Sequence, residues 1–96
     1  MDTSYPDNQM LRAQHLFNVR SLIGLTQQEM ADNLGLSLRA YSDLENAISK
    51  IRTLHVLAVD QLALWEAVRR NDRSLLPARL RMDLMDAVAL MRAGAP

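Results

Sequence analysis

The sequence predicts an all-α fold of five helices, and three observations carry that prediction. Nearly half of the 96 residues are hydrophobic but only 4% are aromatic, and glycine and proline number three each, a balance that suits helices better than a turn-rich β fold. Apolar residues recur at helical spacing through most of the chain. Between the periodic segments stand glycines and hydroxyl residues at the places where helices stop and start.

Residues 1–8, "MDTSYPDN", are expected to form a loose arm. From Met10, the positions Leu11, His15, Leu16, Val19, Leu22 and Ile23 trace a first helix that ends at Gly24. Thr26 opens a second helix as its N-cap, Glu29 completes a capping box, and Leu25 with Met30 supplies the hydrophobic staple. This helix runs to Leu34, where Gly35 provides a left-handed stop.

Ser37 caps the third helix, "LRAYSDLEN", in which Tyr41 and Leu44 face inward while Leu38, Arg39, Ser42, Asp43 and Asn46 lie on the other side. A short glycine-containing connection between two short helices sets them at a steep angle, so the break at Gly35 redirects the chain. After the loop "AISKIR", Thr53 is expected to cap a fourth helix reaching about Arg70. Leu54, Val56, Leu57, Val59, Leu62 and Trp65 make it apolar almost all round, which implies more than one buried face. "NDRSLL" ends it, Pro77 suits a first-turn position, and a fifth helix over about 78–92 carries Leu80, Leu84, Val88 and Met91 on one stripe. Residues 9–70 therefore read as one domain, and residues 71–96 as a C-terminal helical element.

Composition narrows the function. Eleven basic residues balance eleven acidic ones, which argues against a protein that coats nucleic acid through accumulated charge, though not against a small oriented basic face. Without cysteine there is neither a disulfide frame nor a thiolate metal site. No apolar run approaches the roughly 18 residues of a membrane span, and the polar N-terminus has no signal-like core. A cytoplasmic, nucleoid-associated protein without a membrane partner is expected. His15 and His55 have no ligand-spaced companions, so no metal is expected. No nucleophile elbow or glycine-rich phosphate loop is present, so neither enzyme activity nor a cofactor is expected.

The stretch "LTQQEMADNLGLSLRAYSDLEN", Leu25 to Asn46, resembles the helix-turn-helix of the Xre family, the Cro and C1 phage-repressor-like regulators of bacteria and phages. Gln27 after the cap, Ala31 within the second helix, Gly35 in the turn, Ser37 before the third helix and Glu45-Asn46 at its end coincide at the right offsets. With its flanking helices the resemblance covers residues 10 to 65. It implies a five-helix lambda-repressor-like domain whose third helix lies in the major groove of double-stranded DNA.

By position, the resemblance makes Leu38, Arg39, Ser42 and Asp43 the base-reading candidates. Arg39 suits guanine O6 and N7, Leu38 a thymine methyl, and Asp43 either a cytosine amine or the steadying of Arg39. Gln27 is expected to meet a phosphate at the amino end of the second helix. Asn46, Ser49, Lys50 and Arg52 would grip phosphates from the other side. Arg20 and Glu45 match a pair that joins the first helix to the end of the third. Ala31 has a reading of its own: a small residue there lets the two short helices cross closely.

Two features depart from the family. Ala47 stands where the family has glycine, so Asn46 is expected to take the left-handed conformation. The reading helix also carries one arginine against one aspartate, which lowers the expected affinity per subunit.

The resemblance implies a sequence-specific transcriptional regulator, a repressor acting as a homodimer on an inverted-repeat operator. The alternatives are an activator, or a protein-interaction module such as an antitoxin or antiactivator that holds a partner through the C-terminal helices. Leu64, Trp65 and Val68 on the fourth helix and Leu80, Leu84, Val88 and Met91 on the fifth are the expected dimer interface. Met30, Met82, Met85 and Met91 read as core and interface filler. Arg69, Arg70, Arg73, Arg79 and Arg81 gather at the junction of those helices, where phosphate contact, an acidic partner and plain solvation are all open.

Overall fold

The computed structural model describes residues 8–94. The arm expected over residues 1–8 lies outside that range except for Asn8, which is not part of an arm: its side chain caps the first helix, accepting from the amides of Met10 at 2.8 Å and Leu11 at 3.2 Å. Five α-helices follow: α1 (Gln9–Ile23), α2 (Gln27–Leu34), α3 (Leu38–Glu45), α4 (Thr53–Arg70) and α5 (Ala78–Ala93), with a 3-10 turn at Arg73–Leu75 before α5. The described residues contain no strand.

The local chemistry explains each boundary. Thr26 Oγ1 accepts from the Glu29 amide at 3.0 Å and Glu29 returns the bond to the Thr26 amide at 2.9 Å, a closed capping box. Ser37 caps α3 by accepting from the Ala40 amide at 3.0 Å. Thr53, however, is the first residue of α4 and not its cap. Arg52 occupies the cap position and its amide donates to His55 Nδ1 at 2.9 Å. The imidazole at the third helical position thus takes the return half of a capping box, while the His55 amide goes to the Arg52 carbonyl and to no side-chain cap. Pro77 likewise sits at the cap of α5, one place before the first turn.

The helices stop in one recurring geometry. After α1, α2 and α3 an amide donates back five residues: Leu25 to the Arg20 carbonyl (3.2 Å), Leu36 to Ala31 (2.9 Å) and Ile48 to Asp43 (2.8 Å). The left-handed residue that this requires is Gly24 at φ 74° and Gly35 at φ 72°. At the end of α3 it is Ala47, at φ 58°, and not Asn46, which lies at φ −90° and ψ 5°. The hydrogen-bond ring fixes the position that must turn, and it falls one residue later than the residue type suggested. An alanine there costs about 1–2 kcal/mol in backbone strain that a glycine would avoid.

The core gathers Leu16, Val19 and Ile23 of α1, Met30 and Ala31 of α2, Tyr41 and Leu44 of α3, and Val56, Val59 and Leu62 of α4, all buried. Three staples repeat along the chain, each pairing the residue before a cap with the fourth helical residue: Leu25 with Met30, Leu36 with Tyr41, and Ile51 with Val56. Ala31 is wholly buried, as a close crossing of two short helices requires.

In α1 the buried stripe is Arg12, Ala13, Leu16, Val19 and Ile23, whereas Leu11 and Leu22, which recur at the same helical spacing, are exposed. The helix is rotated so that Arg12 and His15 reach α4 and the loop before it. His15 Nε2 meets the buried Asp60 carboxylate at 2.7 Å, satisfying a polar group inside the core. Arg12 donates to the Ile51 carbonyl at 2.8 Å and to Thr53 Oγ1 at 3.0 Å.

Helix α4 splits its apolar residues between two faces. Val56, Val59, Leu62, Ala63 and Ala67 go to the core, while Leu54, Leu57, Trp65 and Val68 are exposed. Leu75 of the 3-10 turn is buried against the core. No residue of α5 is buried; Leu80 and Leu84 are half-covered and Val88 and Met91 are exposed.

Candidate nucleic-acid interface

The reading helix is held by one carboxylate. Glu45, at the end of α3, accepts from Arg20 Nε at 2.6 Å and Arg20 Nη2 at 3.0 Å, from Gln27 Nε2 at 3.1 Å, and from the Tyr41 hydroxyl. Its partners therefore come from α1, α2 and α3 together. Arg20 Nη1 also donates to the Leu25 carbonyl at 3.0 Å, and the Arg20 guanidinium lies 5.4 Å from the centre of the Phe17 ring. Three helices meeting on one planar fork leave α3 little freedom to rock.

The protonation states suit that role. Burial alone would push the Glu45 carboxyl up, but hydrogen bonds from Arg20, Tyr41 and Gln27 and the Arg20 charge outweigh it and hold Glu45 below the usual carboxylate range. The hydrogen bond to Glu45 raises Arg20 in return. Burial, followed by the contact with Glu45, pushes the Tyr41 hydroxyl upward, so it stays a neutral donor.

With its inner face fixed, α3 turns Leu38 and Arg39 outward. Leu38 is 43% exposed and the Arg39 side chain 90%. Arg39 Nε lies 3.8 Å from Asp43 Oδ2, close enough for attraction but too long for a hydrogen bond, so the guanidinium keeps its donors for another partner. Ser42 is half-buried, and its oxygen accepts from Asn46 Nδ2 at 3.3 Å, which leaves the hydroxyl proton available to donate. Leu38, Arg39, Ser42 and Asp43 thus fall along one side of one helix.

Gln27 also serves the fork. One amide hydrogen of its side chain goes to Glu45, which leaves its backbone N–H at the start of α2 and the second amide hydrogen for an outside acceptor. Asn46, Ser49, Lys50 and Arg52 are exposed along the connection from α3 to α4. That connection is anchored by contacts the sequence did not announce. Gln9 closes a two-way bond with Ile51, Nε2 donating to the carbonyl at 2.9 Å and Oε1 accepting the amide at 2.6 Å, and Arg12 grips the same carbonyl. The amino end of α1 therefore fixes the loop that carries Lys50 and Arg52. A glutamine at a helix start gives no signal for this, since its partner is 42 positions away.

Among the described residues, no group of histidines and carboxylates is arranged to hold a metal ion, and no helix is long and apolar enough to cross a membrane.

Comparison with curated proteins and with solved structures finds no match. A protein-family model described as Helix-turn-helix matches residues 18–61, the span from the middle of α1 into α4 that contains the Glu45 fork, the turn at Gly35 and the whole of α3. The sequence motif, the all-helical geometry and this match together make residues 18–61 a helix-turn-helix unit similar to those of the Xre and Cro/C1-like DNA-binding transcription regulators.

Proposed function

We propose that the protein represses transcription by occupancy, binding an inverted-repeat operator as a homodimer with one α3 in each of two major grooves. The observation that carries the reading is the contrast between the two sides of α3. Its inner side is locked by Glu45, Tyr41 and Leu44, and its outer side presents Arg39 with unspent donors beside Leu38, Ser42 and Asp43. A rigid helix with a bidentate donor facing outward is what reading a guanine edge requires. Lys50, Arg52, Ser49, Asn46 and the start of α2 at Gln27 flank it and would hold phosphates.

Dimerisation is supported by the outward face of α4. Leu54, Leu57, Gln61, Leu64 and Val68 recur at alternating steps of three and four, the spacing of a helix-pairing seam, and most of that face is exposed. An antiparallel pair centred on Gln61 sets Leu57 against the partner's Trp65 and Leu54 against the partner's Val68. Of the interface expected from sequence, Leu64 and Val68 lie on this seam and Trp65 flanks it. Leu80, Leu84, Val88 and Met91 belong to α5, outside this seam, and the dimer proposed here does not use them.

Selection of bound sequences from a random DNA pool tests the reading. An enriched inverted repeat with half-sites about 34 Å apart supports a dimer of reading heads, and recovery of no sequence overturns it. The activator reading keeps the same operator contacts and adds a polymerase-facing patch, for which Glu66 or the arginines from Arg69 to Arg81 would serve.

A further inference from the structure

Helix α5 and the 3-10 turn before it border a groove of about 730 Å3 that no residue of α4 or of the reading head lines. Its floor is apolar: Leu76, Leu84, Met85, Val88 and Ala89. Its rim carries Arg73, Arg81 and Arg92 and no acidic residue. The charges at this end of the molecule are divided in a telling way. Arg69 and Arg70 are drawn onto Glu66, with Arg70 Nε 2.9 Å from its carboxylate, whereas Arg73, Arg81 and Arg92 make no ion pair among the described residues.

We propose that this groove binds an acidic amphipathic helix of a different protein. From Arg81 to Arg92 the rim spans three turns, about 16 Å at 1.5 Å per residue, so the occupant presents apolar side chains at one helical stripe with glutamates or aspartates on either edge. Charge complementarity selects this occupant over the two obvious others. A second copy paired antiparallel about the middle of the groove would set Arg81 against the partner's Arg92, and a parallel pair would set each arginine against itself, so like charges meet either way. A DNA backbone would satisfy the arginines but leave the Met85 and Val88 side chains, both exposed, without an apolar cover. Only an acidic, apolar-striped segment answers both the rim and the floor. The site is separate from the reading head, so the protein can hold a partner while on DNA.

The test uses the full chain and two synthetic peptides of about 14 residues, long enough for nearly four helical turns. Both carry the same leucine stripe, one flanked by glutamates and the other by lysines. Titration followed by fluorescence anisotropy and by methyl NMR of the chain is expected to show binding of the glutamate peptide alone, with shifts at Leu84, Met85 and Val88. Arg81→Glu and Arg92→Glu, at solvent-exposed positions and checked for folding by circular dichroism, are each expected to weaken it about tenfold. Arg39→Ala is expected to leave peptide binding unchanged, so failure here is distinguishable from failure of the DNA reading. Equal binding of both peptides, no binding, or indifference to both charge reversals would overturn the proposal. So would self-association whose NMR shifts map to the same groove, or loss of operator affinity on Arg81→Glu.

Discussion

Replacing Glu45 by glutamine, an isosteric change, should loosen the domain. Glu45 accepts four hydrogen bonds, two from Arg20 and one each from Gln27 and Tyr41. A glutamine keeps one acceptor oxygen and points an NH2 group at donors, so at least two of the four are lost. Arg20, with its side chain 16% exposed, is left without a counter-charge. Two charge-assisted bonds at about 1.5–3 kcal/mol each would give about 3–6 kcal/mol, and Arg20 recovers part of that through the Leu25 carbonyl and water. A net loss of about 3 kcal/mol is expected, the low end of what breaking a buried ion pair costs. For a domain of this size that lowers the melting temperature by about 12–24 °C.

The acid limb gives a second handle. Glu45 titrates in the folded state below its ordinary value of about 4.5, so its contribution is full above that pH and is lost as pH falls through the lower folded value. Wild-type stability should therefore drop toward that of Glu45→Gln below about pH 4.5. Urea melts by circular dichroism from pH 3 to pH 7 measure both effects. A loss under about 1 kcal/mol at pH 7, where broken buried pairs cost several, or parallel acid limbs, would refute the idea that this fork locks the reading helix.

Three further outcomes are expected. Gly35→Ala places a Cβ in open space but at φ 72°, so it should cost about 1–2 kcal/mol in thermal melts through the backbone alone. Ala31→Leu overfills a wholly buried position where α2 crosses α3, and should cost about 1–3 kcal/mol and reduce operator affinity even at temperatures where the protein is folded. Burial first, and the Arg52 charge second, depress the pKa of His55 from its ordinary 6.5, so its neutral form stabilises the fold above that value and the benefit falls away as pH drops below it. Urea melts of His55→Ala between pH 5 and pH 8 should lack that step.

Much of the motif was legible because its signals are local. A threonine three residues before a glutamate, a serine before an apolar run and a glycine after one each act within a single turn, so the boundaries of α2 and α3 follow from residue type. Arg20 and Glu45 could be paired only through the family resemblance, and the structure adds Gln27 and Tyr41 to the same carboxylate. What sequence alone misplaced depends on rotation or on distant partners. Leu11 and Leu22 sit at helical spacing, yet α1 turns them to solvent so that Arg12 and His15 can bond to the α3–α4 loop and to α4. Asn46 is the residue type that favours a left-handed turn, but the carbonyl of Asp43 dictates that Ala47 makes it. Thr53 is a cap residue by type and instead accepts from Arg12, while Arg52 holds the cap position and His55 accepts its amide. The apolar residues all round α4 implied more than one buried face. The structure buries one, with Val56, Val59 and Leu62, and leaves Leu54, Leu57, Trp65 and Val68 exposed. Which face meets the core depends on α1, so no local pattern could supply it.

The central claim is that α3 reads base edges through Arg39, and it is tested most directly by comparing wild type with Arg39→Ala on the operator recovered by selection. Arg39 is almost fully exposed and bears little on the fold, so circular dichroism and melting should be unchanged within about 0.5 kcal/mol. The account predicts that affinity for the operator falls about tenfold or more, as losing a bidentate guanine contact worth about 1–3 kcal/mol requires, while binding to unrelated DNA changes far less. Equal affinity of the two proteins for that operator, with both folded, would contradict it.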